Sequence, residues 1–276
     1  MRVESDAKDE PRPGSAQKVM QVNEPTHQAN GLDALREAVR PAVGLLLKRV
    51  CADVGDDVVA LAVVGSAVTE DFHPRFSDIN TVLVVKRRSH RLLEILAGYG
   101  KQLGKLKLRA PLLMTAEYID RSLDVFGAEF LDFQLNHVIV HGSDPFADLQ
   151  FGREAVRLQC ERELKGALMT LRQGYIRALG KPKLVAGLLV DCAGQLAPLM
   201  RAMLWLTGAE RPRCAAATVT AAAEAFDFTP DGLMALMDVK RRHERPPSDQ
   251  VAALFEEVYR VVDHLARQVD QIGETS

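Results

Sequence analysis

The segment LAVVGSAVTEDFHPRFSDINTVLVV, residues 61–85, determines the predicted fold of this chain. It joins two short runs rich in β-branched residues, 58–64 and 81–85, and each run is typical of a buried strand. The first run ends at Gly65-Ser66, where a glycine allows the backbone to turn and to approach a ligand closely. Backbone amides at such a turn can bind an anion. The sequence therefore predicts a strand, an anion-binding turn and a second strand in succession.

Two polar side chains stand at the start of the second strand, in the sequence Ser77-Asp78-Ile79-Asn80. Because side chains alternate along a strand, we expect Asp78 and Asn80 to point to the same face. A carboxylate there could hold a cation, but the amide of Asn80 adds no charge. The alternative is a strand-initiating turn in which Ser77 and Asp78 bond local backbone amides.

The composition indicates a globular protein with a sizeable core. Of its 276 residues, 47% are hydrophobic, which is enough for one large or two ordinary domains. The formal charge of −2 argues against binding to a nucleic-acid backbone, because such proteins usually carry a basic excess. The N-terminus lacks an apolar signal core, and the longest apolar stretch, 184–206, is interrupted by Asp191 and Arg201. We therefore expect a cytoplasmic protein without a membrane span.

The cysteines show neither metal-binding nor disulfide spacing. They are Cys51, Cys160, Cys192 and Cys214, with no CxxC pair and no adjacent histidine cluster. The sequence therefore predicts free thiols in a reducing compartment.

Three regions are predicted along the chain. Residues 1–30 are polar and charged and cannot bury enough surface to order themselves, so we expect a disordered tail. Residues 31–151 alternate strand and helix patterns, and residues 152–272 have helical patterns throughout. In the middle region Pro41 is expected to kink a helix from Leu32 or to divide it in two.

The remaining elements follow from periodicity and from breaks at glycine and proline. Further strands are predicted at 111–115, 129–133 and 137–140. Helices are predicted at 90–106, 153–179, 184–206, 215–225, 232–242 and 250–272.

The motif Gly65-Ser66 followed by Ser77-Asp78-x-Asn80 resembles the DNA polymerase β-like nucleotidyltransferase superfamily. The branch it resembles contains the aminoglycoside nucleotidyltransferases, whose pattern is Gly-Ser, a spacer and Asp-x-Asp. The resemblance implies an α/β (α+β) fold, with a mixed sheet and a C-terminal α-helical bundle domain. Asn80 departs from the pattern, because the family has an acid at that position.

The resemblance also implies a site. Gly65, Ser66 and Ser77 would bind a nucleoside triphosphate, and Asp78, Asn80 and a third acid would bind Mg²⁺. The best match for the third acid is Glu129, which would also take the proton of the attacking hydroxyl. Asp132 is its competitor, since only one of the two can point into the site from a strand. Support for Mg²⁺ is weakened by Asn80, because an amide oxygen coordinates weakly.

Two functions follow from this resemblance. The first is transfer of a nucleoside monophosphate to a hydroxyl of an acceptor, a small molecule or a protein, that the sequence does not identify. The alternative is a catalytically inactive nucleotide-binding or regulatory module, which Asn80 favours. A toxin–antitoxin-type partner protein is a weaker third interpretation, because the helical half lies in the same chain.

Asp191 is expected either to face a polar second substrate or to pair with an arginine such as Arg157 or Arg162. The oligomeric state is not predicted.

Overall fold

A mixed four-stranded sheet forms the first half of the chain in the computed structural model, which describes residues 31–272. The predicted tail at 1–30 lies outside the described residues. The strands are β1 Val58–Val64, β2 Asn80–Val85, β3 Leu112–Met114 and β4 His137–Gly142, in the order β3-β2-β1-β4. β1 pairs antiparallel with β2 and β4, whereas β2 pairs parallel with β3. Four of the five predicted strands are thus confirmed.

The two faces of the sheet carry separate hydrophobic clusters. Because side chains alternate, Leu61 and Leu83 point to one cluster, while Val64 and Val82 point to the other. The first cluster is covered by helices α1 Arg40–Asp53 and α2 His90–Lys105. The second includes Phe130, which belongs to a later helix. The sheet is therefore buried on both faces, which explains its continuous apolar runs.

Proline 41 begins a helix and does not kink one. It occupies the first turn of α1, and the predicted helical residues before it, from Leu32, form turns. Proline suits this position because its missing N–H would have no intrahelical partner there. The predicted kink is therefore wrong, and the run is instead interrupted just before Pro41, with turns and no helix in its first part.

The strand predicted at 129–133 is wrong as well. These residues belong to helix α4, Gly127–Leu135, which follows the short helix α3, Ala116–Asp120. Glu129, Asp132 and Asn136 are spaced as one face of a helix, and all three contact the second half of the chain. This polar face and the apolar residues opposite it stabilise a helix where the short apolar run resembled a strand.

The second half is helical, as predicted. Its helices are α5 Arg153–Arg177, α6 Pro182–Thr207, α7 Ala215–Phe226, α8 Asp231–Arg242 and α9 Val251–Gln271. α6 is long and apolar enough to cross a membrane, but it is the central helix of the bundle and packs against α4, α5, α7, α8 and α9. Its composition is accounted for by this central position. The mixed sheet followed by a helical bundle confirms the predicted fold class, while the boundary at 151/152 stays a prediction.

Candidate functional site

The Gly65-Ser66 turn begins where β1 ends. Gly65 has φ of 72°, a left-handed conformation that glycine adopts without strain, and it starts the 3-10 helix Gly65–Val68. The Gly65 amide donates to the carbonyl of Asn136, just beyond α4, over 3.1 Å. The Ser66 hydroxyl has no hydrogen-bond partner within residues 31–272. The turn is thus fixed by α4 and keeps one free polar side chain.

Asn80 lies beside this turn. It is the partner of Val64 in the β1–β2 register, so the strand pairing places it opposite the last residue of β1. A methyl group built on Gly65 would lie 3.9 Å from Nδ2 of Asn80. The predicted proximity of Asn80 to the turn is therefore found in the structure.

Asp78 is bound by an arginine. Nε of Arg109 donates to Oδ2 of Asp78 over 2.8 Å, and both side chains are partly exposed. Arg109 precedes β3, on the far side of β2 from the turn-bearing strand β1. Sequence reasoning missed this contact because the two residues are 31 positions apart.

Ser77 supports the loop that carries Asp78. Its hydroxyl accepts a hydrogen bond from the His73 amide over 2.9 Å, and its own amide donates to the His73 carbonyl over 2.8 Å. The local-turn alternative thus describes Ser77 well. For Asp78 it does not, because that carboxylate contacts a side chain from another element.

Glu129 is directed to the helical half. Its Oε2 accepts from Nε2 of Gln159 on α5 over 2.5 Å. Asp132, the competing candidate, accepts from Nε of Arg201 on α6 over 2.6 Å. Within residues 31–272 neither carboxylate has a hydrogen bond or ion pair with Asp78 or Asn80. Both side chains leave one face of α4, so the strand argument that placed one of them at the site does not apply.

Arginine side chains from the helical half lie near the turn. Nε of Arg213, between α6 and α7, donates to Oδ1 of Asn136 over 3.2 Å, and its Nη2 donates to the Val68 carbonyl over 3.3 Å. Burial lowers the pKa of nearby Arg211, although the negative charge of Asp132 opposes this. In the sequence these arginines flank Pro212 in a break between two predicted helices, a local pattern that does not indicate contacts with the first half.

Lys240 adds a further cation close to this loop. A methyl group built on Gly194 of α6 would lie 3.3 Å from its Nζ. Burial lowers the pKa of Lys240, and Asp71 acts in the opposite direction. Asp71 itself accepts from the Ala215 amide at the start of α7 over 2.9 Å. The loop after the turn is thus tied to the helical bundle.

Three stacked rings connect the same loop to the end of α8. The Phe76 ring lies between His73 and His243, with centroid separations of 4.7 and 4.3 Å. His243 has φ of 55° and follows the last residue of α8. The stack therefore joins the loop that carries Asp78 to the helical half.

Asp191 is exposed on α6, three residues before Gly194. Its two predicted ion-pair partners are engaged elsewhere: Arg157 binds Glu154 and Glu161, while Arg162 binds Glu163. The pairing prediction is therefore wrong. A contact of Asp191 with a second substrate stays a prediction.

The residues around the turn do not fit a divalent metal ion. No group of three or more His, Cys, Asp or Glu side chains suited to a metal occurs in the part of the chain that the structure describes. Asp78 is already paired with Arg109, Asn80 is neutral, and the neighbouring strand β3 is Leu112-Leu113-Met114. Mg²⁺ prefers carboxylate ligands, and among Ser77, Asp78 and Asn80 only Asp78 is a carboxylate.

The chain was compared with known sequences and structures. No curated protein sequence matches the chain. Among solved structures, the chain is similar to spectinomycin adenyltransferase AAD(9) from Enterococcus faecialis, determined with ATP and spectinomycin. The identity is 10%, the TM-score is 0.48, and the match covers 83% of this chain and 98% of that chain.

The family match is confined to the first half. Residues 43–140 match the model of the nucleotidyltransferase domain family. The matched segment contains the Gly65-Ser66 turn, Asp78 and Asn80, the residues on which the resemblance in sequence was based. Residues 43–140 of this chain are therefore similar to the nucleotidyltransferase domain family.

Proposed function

We propose that this protein binds a nucleoside triphosphate at the Gly65-Ser66 turn, and that binding, more than transfer, is its main activity. The observation that carries the proposal is the turn itself, where Gly65 is in the left-handed conformation beside Asn80 and the Ser66 hydroxyl is unbonded within residues 31–272. Its place in a segment similar to the nucleotidyltransferase domain family supports a nucleotide as the ligand. The cations Arg213 and Lys240 near the same turn favour a polyanion over a neutral ligand.

Weak transfer is expected from the state of the carboxylates. Transfer requires an acceptor hydroxyl to attack the α-phosphorus, pyrophosphate to leave, and a base to take the proton. Two carboxylates of the segment that follows the turn, Asp71 and Asp78, already accept hydrogen bonds from protein donors. Glu129 is bound to Gln159. None of them is an unengaged base at the turn.

The second candidate is a working nucleotidyltransferase with a hydroxyl acceptor, and the family match favours it. In that case Asp78 would release Arg109 and act on the acceptor hydroxyl. Asp191, exposed and outside the two predicted ion pairs, would then be available to a polar acceptor on the helical side.

Isothermal titration with ATP and GTP tests the first proposal. Wild-type protein should bind at least one of them, and Ser66→Ala should weaken binding about threefold to tenfold through loss of one hydrogen bond. Ser143→Ala is the matched control, because Ser143 is exposed after β4. Absence of binding by the wild type would contradict the proposal.

Release of pyrophosphate from ATP separates the two candidates. If the protein only binds nucleotide, the wild type should release pyrophosphate no faster than Asp78→Ala. If it is a transferase, Asp78→Ala should lose the pyrophosphate release that the wild type shows.

A further inference from the structure

Backbone pairing places Arg109 next to Asp78. The Ile79 amide donates to the Lys107 carbonyl over 2.8 Å, and the Arg109 amide donates to the Ile79 carbonyl over 3.0 Å. These parallel contacts extend the β2–β3 pairing ahead of both strands. These backbone hydrogen bonds fix the Arg109 backbone beside Ile79. The pairing of the two segments therefore places the Arg109 side chain next to that of Asp78.

The pair makes the Asp78 position electrically neutral before any ligand arrives. One carboxylate meets one guanidinium, and Asn80 contributes no charge. A divalent cation at Asp78 would have to displace the arginine, or would be repelled by it at close range. A nucleoside triphosphate needs positive charge at this point to offset its own negative charges.

The guanidinium has the donors to supply that charge. Only Nε of Arg109 is engaged, and within residues 31–272 its two terminal nitrogens have no other partner. The Arg109 side chain is 68% exposed, so a ligand in solvent can reach these nitrogens. A planar guanidinium bonds phosphate oxygens in a bidentate manner, and such charge-assisted bonds are the strong ones.

We propose that Arg109 takes the place of the divalent metal ion at this site, so that the protein binds nucleoside triphosphates free of metal. Asp78 then serves as a positioning residue that holds Nε of the guanidinium and leaves its two terminal nitrogens to the phosphates. Arg213 and Lys240 supply further positive charge from the helical side. The inference rests on the proposed nucleotide binding, but it makes a claim of its own about which cation meets the phosphates.

The test is titration of ATP into four forms of the full chain, each with EDTA and with excess Mg²⁺. The forms are the wild type, Arg109→Gln, Asp78→Asn and Arg260→Gln. Arg260 is the matched control, since it is exposed to a similar extent (69%), pairs with Glu256 and lies on α9. Arg109 and Asp78 are both partly exposed, and thermal unfolding checks that every form is folded.

The wild type should bind ATP as tightly in EDTA as in Mg²⁺. Arg109→Gln should weaken binding in EDTA by about tenfold or more, the loss expected for a charge-assisted bond. Asp78→Asn should bind at least as tightly as the wild type in EDTA, because its amide oxygen can still accept from Nε of Arg109 while one negative charge is removed. In a metal-dependent site the same substitution would weaken binding.

Three other results would each overturn either the role of Arg109 or the proposed function. ATP binding by the wild type only with Mg²⁺ would overturn the role of Arg109 and leave the proposed function standing. Unchanged binding by Arg109→Gln in EDTA would overturn it as well. Lack of binding by the wild type under both conditions would overturn the proposed function itself.

Discussion

Arg201 of α6 and Asp132 of α4 form a buried ion pair, with Nε and Oδ1 2.6 Å apart. The Arg201 guanidinium also donates to Thr218 over 3.2 Å, and the Asn136 amide donates to Asp132 over 3.3 Å. The carboxylate is thus satisfied by two donors from different elements. Such a pair is sensitive to the loss of either partner, because the other charge would remain buried.

Removing one partner of this pair should be costly. Asp132→Asn or Arg201→Met should lower the free energy of unfolding by about 3–5 kcal/mol, since each leaves an uncompensated buried group. The double variant Asp132→Leu with Arg201→Met should cost less than the sum of the two single changes. Urea unfolding measures all three. Additive losses would show that the two side chains act independently.

A second acid at position 80 should create metal dependence. Asn80→Asp places two carboxylates at the start of β2, where a single arginine can no longer neutralise both. ATP binding by this variant should become stronger with Mg²⁺ than with EDTA, as titration calorimetry would show. Asn80→Ala controls for loss of the amide and should show no such difference. Equal binding by Asn80→Asp under both conditions would mean that the loop cannot form a metal site.

The pH dependence of stability should reveal Lys240. Burial lowers its pKa, whereas an unfolded lysine titrates near pH ~10.4. Between those two values the unfolded chain binds more protons, so this contribution to stability rises with pH. Below the lowered pKa the penalty of burying the charge is fully present.

The measurement is the difference in unfolding free energy between wild type and Lys240→Met. That difference should shift in favour of the wild type as the pH rises from neutrality to about 10. Lys101→Met, at an exposed position on α2, is the control and should show no such trend. A difference that does not change with pH would place the Lys240 ammonium in solvent.

Thiol labelling should distinguish the four cysteines. Cys51 is exposed, although partial burial raises the pKa of its thiol, whereas deeper burial raises the pKa of Cys192 to about 11 and that of Cys160 to about 12. At neutral pH the native protein should react first at Cys51 and last at Cys160, because the thiolate is the reactive form. Mass spectrometry of the labelled protein gives the order, and urea should abolish it. Early labelling of Cys160 would contradict its packing between α4 and the helical half.

Most elements could be predicted from sequence because their signals are local. β1 and β2 are runs of β-branched residues, and the helices of the second half are separated by glycine and proline. α4 was assigned as a strand because its apolar run is short and aromatic. The spacing of Glu129, Asp132 and Asn136 indicates one face of a helix. This spacing can be interpreted only when the partners of the three residues in the second half are known.

The site could be predicted only in part. The Gly65-Ser66 turn and the position of Asn80 depend on β1 and β2, two strands that are consecutive in the sequence. The structure contains both features. The contact between Asp78 and Arg109 depends on parallel pairing across a helix, which no local pattern reports. The third acid was sought on a strand that is in fact a helix.

The polar face of α4 has a consequence for how this chain can evolve. Glu129, Asp132 and Asn136 each have a partner in the second half, so the two halves carry matched side chains. A chimaera that joined residues 31–151 to the helical half of another protein would lose these partners and leave a buried carboxylate unpaired. Substitutions at position 132 should therefore be accompanied by substitutions at 201 among descendants of this chain, and recombination between the halves should be rarely tolerated.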